Sequence, residues 1–185
     1  MKRTFDTLVS TLILVLFSPL FLLAYAISAL FLRDEKVRNE YVGRNGETFF
    51  MTFYMGKMRP VGIVLSIATV LFHVMKGDMA FVGPVPRSSE YTDNMFRTSE
   101  EYAEILKVKP GIIAESSLYI CSSDHTDLLL IKGDMSDRSA DMTVMDADVR
   151  YVHHASFLYD IDILKDGMVY FLTDRIGWNY SSFTA

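Results

Sequence analysis

From Leu8 to Leu32 the chain carries no charged side chain. As a continuous α-helix such a run would reach about 37 Å, enough to cross a hydrocarbon core of roughly 30 Å. It is too long for the apolar core of a cleavable leader, and no small-residue cleavage site precedes the charged stretch from Arg33 to Lys36. Ser18-Pro19 interrupts it near the middle. Proline removes a backbone donor and clashes with the preceding turn, so the helix must bend there, and the serine hydroxyl can satisfy a freed carbonyl in lipid. The limb before the break, Leu8–Phe17, spans only about 15 Å, half the apolar thickness. Lys2 and Arg3 flank the run on one side, Arg33 and Lys36 on the other. Positive flanks favour the cytoplasmic side. If both remain there, the segment enters, bends at Ser18-Pro19 and leaves by the same face. A single kinked signal anchor stays open on these grounds alone.

Beyond the run, the length suits one further domain, giving boundaries at 1–34 and 35–185. The net charge of −5 argues against a nucleic-acid partner. Cys121 is the only cysteine, which excludes an internal disulfide and disfavours a thiolate metal site. Gly43-Arg44-Asn45-Gly46 supplies a turn between extended segments within Glu35–Tyr54, so a short hairpin is expected. The uncharged stretch Val61–Met75 reads as a buried or interfacial helix ended by Gly77-Asp78. Gly83-Pro84-Val85-Pro86 reads as a rigid loop. Ser99–Lys107 reads as an amphipathic helix capped by Ser99, with Tyr102, Ile105 and Leu106 facing inward, and Pro110-Gly111 stops it. Cys121–Asp146 reads as loop with some helix, Asp148–Tyr170 as mostly helical, and the tail after Trp178 as loose. The expected class is α-rich α+β: a membrane helix-break-helix followed by a small domain with interfacial amphipathic helices and a short hairpin.

Several blocks, in one order, carry a resemblance. Lys2-Arg3 with Asp6, Ser10 and Ser18-Pro19 opens the chain. Val42-Gly43 with Gly46 and Phe49 follows, then Lys76-Gly77-Asp78-Met79-Ala80-Phe81-Val82-Gly83-Pro84-Val85-Pro86, then Lys107-Val108-Lys109-Pro110-Gly111-Ile112. Asp148-Val149-Arg150-Tyr151-Val152, Ser156-Phe157, Asp160 and Ile163-Leu164 complete the set. Together, over roughly residues 2 to 172, they resemble the bacterial sugar transferases, small monotopic phosphoglycosyl transferases. The resemblance implies a re-entrant membrane helix broken at Ser18-Pro19 and a place on the cytoplasmic face of a bacterial inner membrane. It also implies transfer of a phosphosugar from a UDP-sugar to a polyprenyl phosphate with magnesium. In the family an Asp-Glu pair just before Lys-Gly-Asp-Met performs the attack on phosphorus. That chemistry needs a carboxylate nucleophile, a second carboxylate and cations for the phosphate charge.

This chain departs from that pattern at its centre. Counted back from Lys76, the pair falls on Ser66 and Ile67, and no carboxylate occurs from Thr48 to Gly77. Serine needs a base within hydrogen-bond reach, and His73 lies about 10 Å further along the helix. The family's arginines fall on Tyr41 and Val85, its Gly-Trp on Ala114-Glu115, and its Lys-Phe-Arg-Thr-Met on Phe53–Lys57, with Lys57 and Arg59 close by. The expectation is a catalytically inactive member, with no catalytic residue, no metal and no cofactor of its own. Its expected partners are membrane lipid, an active paralogue in a heterodimer, and undecaprenyl phosphate. Two alternatives accompany it: transfer with relocated acids, Asp78 and Glu90, and a lipid-binding or scaffold module.

The remaining polar residues have plain readings. Asp78 beside Gly77 fits a cap as well as a metal ligand. Asp148 and Asp160 fit structural pairs or caps. His153 and His154 point to different faces of one helix, while Asp124 and His125 fall in an acidic loop. The methionines around the lost site, Met51, Met55, Met58, Met75 and Met79, read as core packing or as a deformable contact surface.

Overall fold

The computed structural model describes residues 2–32, 35–55, 59–98, 101–122 and 138–172. Helix α1 (Lys2–Leu16) and α2 (Ser18–Ile27, continued by a π-helical turn over Ser28–Leu32) are bent by 60° at their junction. Proline enters at the first turn of α2, where its missing donor costs least, and the Ser18 hydroxyl donates to the Val15 carbonyl at 2.8 Å. Strands β1 (Glu35–Val42) and β2 (Thr48–Met55) form an antiparallel hairpin in register from Glu35↔Met55 to Val42↔Thr48. Its turn, Arg44–Gly46, places Asn45 at φ 58° and Gly46 at φ 80°, the left-handed region that Asn and Gly tolerate best.

Helix α3 (Arg59–Lys76) lies across α1, α2 and β2. Gly62 lets it pass close to the hairpin: a Cβ there would sit 2.4 Å from the Tyr54 carbonyl oxygen. One core gathers Phe49, Met51, Phe53, Val74 and Met79, with Tyr41 and Val70 against it. Met51 and Met79 are therefore core residues, whereas Met55 and Met58 have no described side chain. A smaller cluster of Ala24, Val61 and Leu65 fastens α2 to α3.

The rest is helical around a two-stranded parallel pair, β3 (Ala80–Val82) and β4 (Gly111–Ile113). Gly83 and Gly111 let these backbones meet: a Cβ on Gly111 would stand 2.1 Å from the Gly83 nitrogen. Helices α4 (Ser89–Thr98), α5 (Tyr102–Ile105), α6 (Glu115–Ser122), α7 (Arg138–His154) and α8 (Phe157–Leu172) complete the described chain.

The class is as read from the sequence, mostly helical with a short antiparallel hairpin. Three details differ. The helix expected over Ser99–Lys107 is the single turn α5, in which Tyr102 and Ile105 are buried, and Ser99 lies outside the described residues. Polar residues before it form a helix that hydropathy did not signal, α4, whose entry is capped by the Ser88 hydroxyl accepting from the Tyr91 amide at 3.2 Å. The mostly helical stretch over Asp148–Tyr170 is divided between two helices, because Ser156 caps α8 by accepting from the Tyr159 amide at 3.2 Å, and α7 begins as early as Arg138. Asp124, His125 and the tail after Trp178 lie outside the described residues.

Candidate functional site

Position 66 is occupied structurally. The Ser66 hydroxyl accepts a hydrogen bond from the Tyr54 amide at 3.1 Å, so it ties α3 to β2. Ile67 stands beside it with its apolar side chain 48% exposed. No described carboxylate lies on α3 or β2. Tyr41, at a position where the family has arginine, packs its ring on Phe49 and Phe53 at 6.2 and 6.3 Å. Lys57 lies outside the described residues.

At the other end of α3 the polar groups are paired. His73 is buried against the Phe49 ring and its Nδ1 sits 2.8 Å from Asp78 Oδ2, which also accepts from Lys76 at 3.0 Å. Burial pushes the Asp78 carboxyl up, but the His73 and Lys76 hydrogen bonds outweigh it and hold the group below its ordinary value. The chain turns here through Gly77 at φ 98° and receives the Gly77, Asp78 and Met79 amides on the His73 carbonyl. Glu90 lies exposed on the first turn of α4, with no hydrogen bond or salt bridge to Asp78.

The Gly-Pro and Pro-Gly blocks pack on each other. The Ala80 amide donates to the Pro110 carbonyl and the Gly111 amide to the Pro84 carbonyl, both at 2.9 Å, while the Gly83 amide donates to Ile113. Pro86 continues the same loop towards Arg87, whose carbonyl receives the Val42 amide at 2.9 Å. Asp148 is buried on α7, accepting from the Ser116 hydroxyl at 2.8 Å; desolvation raises its pKa to about 6. Asp160 binds Lys2 at 2.7 Å and the Tyr151 hydroxyl at 2.6 Å, joining the two ends of the described chain. Neither Asp148 nor Asp160 reaches position 66. Asp6 and Ser10 are buried on α1, where the Ser10 hydroxyl donates to the Thr7 carbonyl. His153 and His154 are exposed at the end of α7.

Among the described residues no three His, Cys, Asp or Glu side chains are grouped to hold a metal. A magnesium ion asks for several oxygen ligands, usually including a carboxylate, and Asp78 is already held by His73 and Lys76. The donor set does not fit that ion. Separately, a cleft of about 360 Å³ opens between the hairpin turn, α4 and α5, lined by Asn45, Thr48, Asp93, Phe96 and Lys107 among others. It lies at the turn end of β2, about 20 Å along the strand from the Tyr54–Ser66 contact.

The blocks that pack around β3, β4 and α8 are those matched by the bacterial sugar transferase family model, over residues 68–174. The chain belongs to the bacterial sugar transferase family. The matched stretch starts just after Ser66 and Ile67, and it covers the Lys76–Pro86 and Lys107–Ile112 blocks together with α7 and α8. Among curated proteins none matches the chain. In this family member the glycines and prolines of those blocks are structurally engaged. Two of the contacts escape sequence reading: the Lys2–Asp160 pair, whose members are 158 positions apart, and the Tyr54–Ser66 bond. Only the second has a local signal, a polar side chain within the apolar run of α3.

Proposed function

We propose that this chain is a catalytically inactive bacterial sugar transferase that acts by association, supporting an active paralogue in a heterodimer at the membrane-committed step of glycan synthesis. The observation that carries the reading is the state of positions 66 and 67. Ser66 spends its hydroxyl on the Tyr54 amide, and Ile67 offers no base or nucleophile. A serine without an adjacent base is a weak nucleophile. The purified chain, given UDP-sugars, undecaprenyl phosphate and magnesium, is expected to release no UMP, and to co-purify with an active family member expressed beside it. UMP release by the chain alone would overturn the reading.

The same reading places residues 1–34 in the bilayer as a re-entrant pair at the cytoplasmic face. Its support is the 60° bend together with the apolar surface of both limbs, where Leu8, Leu12, Leu16, Leu22 and Leu30 are each at least 65% exposed. A soluble surface rarely carries so large an apolar patch. Helix α3 also has the length and hydropathy of a span, yet a third of it is buried inside the protein against α1, α2 and β2. Single cysteines at Thr4 and Lys36, with Cys121 replaced by serine, are expected to react with an impermeant maleimide from the same side of the membrane. Labelling from opposite sides would show a span instead.

A further inference from the structure

The two edges of the hairpin are finished differently. At the Val42↔Thr48 pair the Val42 amide points away from β2 and donates to the Arg87 carbonyl at 2.9 Å. Alternate residues of an antiparallel strand share that direction. The backbone groups of Lys36, Arg38 and Glu40 therefore also point outward from β1, and among the described residues no hydrogen bond reaches them. Tyr54, across from Lys36, follows the same rule on the other edge, but there its amide is taken by Ser66 of α3. The side chains along the open stretch are exposed. Lys36 lies over the Tyr54 ring at 5.6 Å and Arg38 over the Phe50 ring at 4.3 Å, on the face opposite the Phe49, Met51 and Phe53 core. Among the described residues none of Lys36, Arg38 and Glu40 is in a salt bridge.

An unpaired edge is a template for another strand, and charges along it restrict which strand fits. Here the row reads cation, cation, anion at alternate positions. We propose that the β1 edge takes an extended segment of a partner protein as a third, antiparallel strand, with carboxylates across from Lys36 and Arg38 and a cation across from Glu40. The outward amides and carbonyls of these residues supply the ladder, and the charge row selects the partner, because like charges directly opposite repel. Half-buried Val37 and Tyr41 line the other face, so the residues between the charged ones are apolar. A second copy of β1 fits less well. Centred on Arg38 it sets two guanidinium groups opposite each other. Shifted to place Arg38 across from Glu40, it brings Lys36 to Val42, whose edge Arg87 already occupies. The inference holds whether or not the chain is catalytically inactive.

The test uses the full chain in nanodiscs of phosphatidylcholine and a fluorescent cyclic hairpin peptide as the probe. The open strand of the peptide reads Thr-Lys-Val-Glu-Val-Glu-Thr, which sets lysine across from Glu40 and the glutamates across from Arg38 and Lys36; cyclisation holds it extended beforehand. Saturable binding is expected below about 1 mM by fluorescence anisotropy, together with slowed hydrogen exchange within β1. Arg38→Pro removes an outward donor and leaves the ladder to β2 intact, so it is expected to weaken binding by about tenfold. Arg38→Glu is expected to weaken it by about tenfold as well, and a peptide with lysine in place of the central glutamate to recover the loss. That charge exchange separates loss of the site from loss of fold. No saturable binding by the wild type, binding that neither variant weakens, or a loss that the exchanged peptide does not recover overturns the proposal. Self-association of the chain that Arg38→Pro abolishes overturns it too, by giving the edge to a second copy.

Discussion

Replacing Asp160 by alanine is expected to lower the thermal unfolding midpoint of the full chain by roughly 6–12 °C, the equivalent of about 3 kcal/mol in a domain of this size. The reason is the junction that Asp160 completes. Its carboxylate accepts the Tyr151 hydroxyl at 2.6 Å and pairs with Lys2 at 2.7 Å, while Lys2 also reaches the Val82 carbonyl at 3.0 Å. Four elements therefore meet at one polar junction: α1, β3, α7 and α8. Tyr151 is 1% exposed, and burial together with the neighbouring Asp160 charge drives its pKa well above the ordinary tyrosine value. Alanine would take the carboxylate from both at once, leaving the buried hydroxyl and the Lys2 ammonium only each other and the Val82 carbonyl. Water screens part of the ion pair, because a third of the Lys2 side chain is exposed, which keeps the expected loss at the lower end for a broken buried pair. Asp160→Asn retains the shape and an acceptor for Tyr151, so about half the loss is expected. The measurement is differential scanning fluorimetry in detergent or nanodiscs. A midpoint within 2 °C of wild type for the alanine variant would show that α1 is held by its apolar contacts alone.

That junction also shows where reading the sequence stops. The hairpin was legible because Gly43, Asn45 and Gly46 require a turn, and α3 because an uncharged stretch ends at Gly77. These signals are local. The start of α4 had a local signal too, Ser88 three residues before the Tyr91 amide it caps, but the helix it opens is polar and leaves no apolar period to notice. Strands β3 and β4 are three residues each and pair in parallel across Gly83 and Gly111. A strand that short has no alternation to read, and parallel pairing depends on residues about thirty positions away. At the candidate site, the absence of carboxylates from Thr48 to Gly77 was plain in the sequence. What Ser66 does was not, because its partner is a backbone amide on another element. The approach of Arg3 and Lys109 to one point over Gly77 was equally hidden, since the three residues are far apart in sequence.

The second large effect should appear as a pH dependence centred on Asp148. Burial is the main cause of its raised pKa of about 6, with the Glu115 charge adding to it; the Ser116 hydrogen bond, the Arg87 charge and the Val85 amide oppose it. The neutral acid is therefore favoured in the folded chain over the unfolded one. Its stabilising contribution is fully present below pH 3.8, the ordinary carboxyl value, and is lost as pH rises through about 6. Over the whole window the difference amounts to about 3 kcal/mol, of which about 2 kcal/mol falls between pH 4.5 and 7.5. Asp148→Asn removes the titration and keeps an oxygen for the Ser116 hydroxyl, whose hydrogen bond at 2.8 Å joins α6 to α7. Other carboxylates titrate in both proteins and cancel when the two are compared. Between pH 4.5 and 7.5 the wild-type midpoint should accordingly fall by roughly 4–8 °C relative to the asparagine variant. Parallel pH profiles would mean that Asp148 stays ionised in the folded chain, compensated by the Arg87 guanidinium. In that case, the position would act as the fixed anion of a polar network joining α6, α7 and the Gly83–Pro86 loop, not as a neutral hydrogen-bonding acid.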